Sequence, residues 1–145
     1  MANYKQILVA VDFSEHSERA IERAQELAIE DGGALNLIHV VDYFPAMDAA
    51  YDGALAFSVD MTDELVSASK NRLKVLAEKY QLKDEQLFVE VGAIRNEVID
   101  KADKHGTDLI VIGSHGWRGI DLLLGSTADS ILHHAKCDVL VVRID

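Results

Sequence analysis

The sequence predicts an α/β protein built on a doubly wound, five-stranded parallel sheet with helices on both faces. Two observations carry this. Five short runs rich in Val, Ile and Leu are apolar nearly throughout, the pattern of strands buried on both faces. Between them lie segments whose apolar residues recur at helical spacing. Strand and helix alternate along all 145 residues without an internal repeat or low-complexity tract, and such alternation yields one parallel sheet. The length suits one domain over residues 1–145.

The first strand is expected at Gln6 to Val11 (QILVAV). Asp12 and Ser14 are residue types that cap helix N-termini, and Ala20, Ile21, Ala24, Leu27 and Ala28 form a helical stripe stopped by Gly32-Gly33. Strand two is Ala34 to Val41. Residues 42–60 read as an irregular connection, with the only proline, Pro45, and scattered apolar side chains; such a loop serves as a lid or contact surface. A helix over Asp63 to Tyr80 follows, with Leu65, Leu73, Leu76, Ala77 and Tyr80 on one face. Strand three is Leu87 to Val91, a short helix runs from Asn96 to Lys104, and strand four is Leu109 to Ile112. A glycine-rich connection follows, with a helical turn at Ile120 to Leu124. The last helix is Ser126 to His134 and the last strand Val139 to Ile144.

Composition narrows the function classes. A formal net charge of −11 opposes general nucleic-acid binding, which needs a basic face. No apolar run approaches the roughly 20 residues of a membrane helix, and the N-terminal segment lacks the basic region and cleavage site of a signal peptide. The expectation is a cytoplasmic protein without membrane or nucleic-acid partners. The single cysteine, Cys137, forms no intramolecular disulfide and reads as a small buried hydrophobe.

Two segments are chemically unusual, and both follow strands: Asp12-Phe13-Ser14, and Gly113 through Gly116 to Gly125-Ser126-Thr127. The alternation leaves two doubly wound strand orders open, 3-2-1-4-5 and 2-1-3-4-5, and in either a crevice opens where the winding reverses. In the first order strands one and four are neighbours, and both segments face that crevice. Glycines let backbone N–H groups approach an anion. Gly125-Ser126-Thr127 opens a helix, whose free N–H groups favour negative charge. Asp12 suits a ribose hydroxyl or a divalent metal. Each segment alone also reads as an ordinary turn or cap. No P-loop, no Gly-x-Gly-x-x-Gly after strand one and no nucleophile elbow is present. His133 and His134 are adjacent and diverge on a helix, which disfavours a metal pair. His39 reads as a core or crevice residue. His115 and Asp12 are the only candidates for a general base or nucleophile, so chemistry at this phosphate-type site would be slow hydrolysis at most.

With these residues in view, the chain resembles the universal stress protein family over nearly its whole length. The resemblance rests on YKQILVAVDFSEHSERAIERA, LNLIHVVD, DLIVIGSHG and LLLGSTADSILHHAKCDVLVVR, in that order. It implies a Rossmann-like sheet in the order 3-2-1-4-5, a stress-response role and a homodimer through the C-terminal strand. Many members bind ATP through Gly-x2-Gly-x9-Gly-[Ser/Thr]. Gly113 and Gly116 match the first half and Gly125-Ser126 the last, but only eight residues separate Gly116 from Gly125. Carried over, Ala10, Val11, Asp12 and Val40 would receive the adenosine. Ile112, Gly113 and Gly116 would wrap ribose and phosphates, and Gly125, Ser126 and Thr127 would hold the phosphates, with or without Mg²⁺. The short loop favours a second expectation, a dimeric interaction module that docks an unidentified client and binds no ATP. The apolar Val139 to Val142 run, expected at a sheet edge, independently calls for a pairing partner.

Overall fold

A computed structural model describes residues 3–42, 52–114 and 126–143. The sheet has five strands, β1 (Gln6–Ala10), β2 (Ala34–Asp42), β3 (Leu87–Gly92), β4 (Leu109–Gly113) and β5 (Asp138–Val142). Their order is β3-β2-β1-β4-β5 and every pairing is parallel. This decides between the two doubly wound orders. It puts β1 beside β4, with Ile7, Leu8 and Val9 opposite Leu109, Ile110 and Val111.

Alternation along the central strands sorts the core into two clusters. Ile7, Val9 and Val11 join Leu35, Leu37 and Val111 beneath Ala20, Ile21, Ala24 and Leu73. These last belong to α1 (Glu15–Asp31) and α2 (Asp52–Lys79). On the opposite face Leu8, Ala10, Ile38, Val40, Ile110 and Ile112 pack against Val98, Ala102, Ala128 and Ile131, from α3 (Ile94–Lys104) and α4 (Ser126–His134). Both faces of β1 and β4 are thus covered, which is why their sequences read as unbroken apolar runs.

Local chemistry sets the helix ends. The Ser14 side chain caps α1 by accepting from Ser17 N. Gly32 closes it in the left-handed region at φ 68°. Gly33 has another reason to be glycine: a Cβ there would lie 2.3 Å from the Tyr4 carbonyl oxygen. The chain therefore turns into β2 in direct contact with the start of β1.

Several boundaries differ from the sequence reading. Residues 52–60, expected to be irregular, are the first turns of α2; residues 43–51 lie outside the described set. The upstream stretch shows no obvious stripe by itself. Read with the rest of the helix, Leu55, Val59, Thr62, Val66, Ser69 and Leu73 continue one stripe at alternating four- and three-residue steps. Leu65, assigned to the core face, is 52% exposed, while Leu73, Ala77 and Tyr80 are buried as expected. α3 begins two residues early, at Ile94, and β5 runs from Asp138 to Val142. Cys137 is half-buried rather than buried, packed against the α3/α4 cluster, and burial pushes its thiol pKa up.

The 28 residues of α2 span about 42 Å at 1.5 Å per residue. The longest strand, β2, has 9 residues and spans roughly 30 Å. α2 is thus longer than any strand of the sheet. Where burial in α2 is described, the buried residues are Ser69, Leu73 and Ala77.

Candidate functional site

The carboxyl ends of β1 and β4 adjoin where the winding reverses, the location at which open α/β sheets bind ligands. Of the residues predicted for this site, Ala10, Val40 and Ile112 share one sheet face. They lie in the same buried cluster as Ala128 of α4. Val11 turns to the opposite face. Gly113 ends β4 opposite Val142, and the next amide, Ser114 N, donates to Val142 O at 2.9 Å. Ser126 and Thr127 form the first turn of α4, with Thr127 half-buried. Gly116 and Gly125 lie outside the described residues, as do His115, Trp117, Arg118 and the turn expected at 120–124.

Asp12 follows β1 and is the most heavily bonded side chain of the region. Its Oδ1 accepts from Ser14 N at 3.0 Å, from Ser14 Oγ at 2.5 Å and from Ser17 Oγ at 2.5 Å. Its own backbone N–H donates to Ser17 Oγ at 2.8 Å. Its other oxygen, Oδ2, is buried and has no hydrogen-bond partner among the described residues. Leaving such an atom unpaired costs about 1–3 kcal/mol, so a buried orphan of this kind calls for a partner, whether water, ion or ligand. The Ser14 and Ser17 donors go to Oδ1, and what remains is one oriented acceptor. A hydroxyl or amine of a ligand is its chemical complement; a phosphate is not.

The turn itself is strained. Phe13 has φ 67°, an outlier for a bulky residue that costs roughly 1–3 kcal/mol. Its ring lies against the imidazole of His39, centroids 4.2 Å apart, and beneath the Arg72 guanidinium, 4.3 Å from the ring centre. His39 Nδ1 is 2.8 Å from Val11 O. A carbonyl only accepts, so Nδ1 carries the proton and donates. Burial lowers the His39 pKa below its ordinary value, against the Val11 hydrogen bond and Asp12, which favour the charged form. The expectation of a core or crevice histidine holds. Sequence reasoning singled out the segment Asp12-Phe13-Ser14 but gave Phe13 no role, and it missed Ser17 and Arg72 as parts of this region. The spacing Asp12-x-Ser14-x2-Ser17 was the available signal for Ser17. No local pattern announces a left-handed phenylalanine or its contact with a helix about sixty positions away.

A cavity of about 220 Å³ opens beside this turn, lined by Phe13, Ser14, Glu18, Arg72, Val75 and Leu76. That is below the ~300 Å³ at which small-molecule pockets begin. Among the described residues no group of three or more His, Cys, Asp or Glu side chains could hold a metal ion, and no helix is long and apolar enough to cross a membrane.

A sheet of this order, with paired segments at the β1 and β4 ends, is the arrangement implied by the sequence resemblance. The family model for the universal stress protein family matches residues 3–143. The chain belongs to the universal stress protein family. It is 42% identical over 145 residues to universal stress protein A homolog 2 of Coxiella burnetii, covering 99% of this chain and 98% of that one. Among solved structures it is similar to the universal stress protein UspA from Lactobacillus plantarum. The TM-score is 0.81 at 27% identity, over 99% of this chain and 100% of that one. It is also similar to a universal stress protein solved in complex with cAMP, with a TM-score of 0.59 at 30% identity, over 97% and 98% of the two chains.

Proposed function

We propose that this universal stress protein is a stress-response regulator that binds an adenine nucleotide, ATP foremost, in the crevice between the β1 and β4 ends. The carrying observation is Asp12, whose one unpartnered, buried oxygen complements a ribose hydroxyl. The buried residues near the strand ends on one sheet face, Ala10, Val40 and Ile112, suit the apolar surface of an adenosine. The first turn of α4, with Thr127, suits phosphates. A 30%-identical relative crystallised with cAMP supports the adenine class. Gly113, Gly116, Gly125 and Ser126 complete the proposed phosphate side. Isothermal titration with ATP, AMP and cAMP, each with and without Mg²⁺, tests the reading. Binding of at least one nucleotide, lost in Gly125→Val, is expected; no heat with any of them at millimolar concentration would overturn it.

The eight-residue spacing between Gly116 and Gly125 favours a second reading, a dimeric interaction module acting on a client without ATP. Both readings include a homodimer through β5. That strand ends the sheet and carries the consecutive apolar run Val139 to Val142, an edge that a second copy would close. Light scattering after size exclusion is expected to give twice the chain mass, and Val141→Pro to give a monomer.

A further inference from the structure

The turn that carries Asp12 is fastened at every residue, and its fastenings come from different elements. β2 supplies His39, which holds the Val11 carbonyl and one face of Phe13. α1 supplies Ser17, which holds the Asp12 amide and carboxylate. α2 supplies Arg72, on the Phe13 ring. The last is unlike the others. Close packing does not lock the ring on this side, because Phe13 and Arg72 both line the cavity between α1 and α2. Arg72 is solvent-exposed, has no ion pair among those described, and sits on α2, an element separate from those that hold Asp12. A ring held at φ 67° stays there only while its surroundings over-determine it.

We infer that Phe13 and Arg72 are positioning residues of the crevice: the Arg72–Phe13–His39 stack holds the left-handed turn that aims Asp12, and so ties ligand affinity to the placement of α2. The role rests on the nucleotide reading for its ligand, but the coupling of Arg72 to Asp12 is a property of the protein alone. Phe13 touches no ligand in this scheme; it acts through Asp12. A displacement of α2, by a partner docking on its exposed side for example, would loosen Phe13 and weaken the crevice.

The test has two arms, both on the full chain. In the first, titration with ATP compares wild type with five variants. Arg72→Ala is expected to bind about two- to fivefold more weakly, the loss of one exposed cation–π contact, and Arg72→Lys to recover part of it. Phe13→Leu keeps apolar bulk without a ring and is expected to weaken binding, whereas Phe13→Tyr keeps the ring and restores it. Phe13→Gly adopts φ 67° without strain, so a loss of affinity there reports the missing stack and not an incompatible backbone. Melting temperatures identify any variant that merely unfolds. In the second arm, without nucleotide, NMR follows the His39 ring protons and the Asp12 carboxyl carbon. Arg72→Ala is expected to move both. Unchanged signals in Arg72→Ala, or unchanged affinity in both Arg72→Ala and Phe13→Leu, would overturn the inference. If wild type binds no adenine nucleotide, the functional reading fails and the NMR arm alone decides the coupling.

Discussion

Two aspartates at opposite ends of the sheet use their carboxylates differently. Asp108, at the amino-terminal end, spends both oxygens on the start of β1: Oδ2 accepts from Lys5 N at 2.8 Å and Oδ1 from Gln6 N at 3.0 Å. Nearby, Asp31 accepts from Tyr4 N at 3.0 Å, and Tyr4 Oη donates to Asp138 at 2.8 Å. Asp12, at the carboxyl-terminal end, collects three donors on one oxygen and leaves the other buried without a partner. One end of the sheet is closed by its own side chains. The other is held in a strained turn with an acceptor to spare. The first end is stitched by paired polar groups; the second carries the unpaired acceptor on which the proposed binding rests.

Substitutions at the two ends test this contrast. The largest loss is expected at the closed end, where Gly33→Ala would push a Cβ into the Tyr4 carbonyl. We expect about 3 kcal/mol of destabilisation in urea unfolding, with nucleotide binding retained by the folded fraction. Matched Asp→Asn changes come next. Asp108→Asn replaces one of two working acceptors by a donor facing a backbone N–H and should cost about 2–3 kcal/mol. Asp12→Asn can place its amide nitrogen where Oδ2 had no partner and should cost under ~1 kcal/mol, while abolishing adenine-nucleotide binding. Equal destabilisation of the two variants would erase the distinction. Ser17→Ala lies between them, at roughly 1–2 kcal/mol, because it strips the Asp12 amide of its acceptor. It should also weaken nucleotide binding.

The smallest effect concerns pH. His39 has a pKa lowered by burial from an ordinary 6.5, so the unfolded chain takes up a proton that the folded chain resists. The folded state keeps its full advantage above about pH 6.5 and loses it as pH falls from there toward the lowered value. Melting temperatures of wild type should therefore decline over that interval, and those of His39→Gln should decline less. Parallel curves would mean that His39 titrates alike in both states.

Much of this was legible in the chain. Five apolar runs marked the strands, Ser14 and Gly32 marked the ends of α1, and the motifs around Asp12 and Gly113 marked the family and the crevice. These features are local: a buried strand, an N-cap or a glycine turn has its own chemistry within a few residues. The early start of α2 was less legible, because its stripe emerges only when residues 55–73 are read together. The strand order was not decided by the alternation of elements, since 3-2-1-4-5 and 2-1-3-4-5 satisfy it equally; the family resemblance pointed to the first, and parallel pairing of β1 with β4 shows it. The chain's local patterns fixed the strands, most helix ends, the family and the residues available to the crevice. Which Asp12 oxygen is occupied, the left-handed Phe13 and the Arg72 cover on its ring came from the fold. Those outcomes depend on contacts between residues far apart in the chain, such as Phe13 with His39 and Arg72, and no local propensity encodes them.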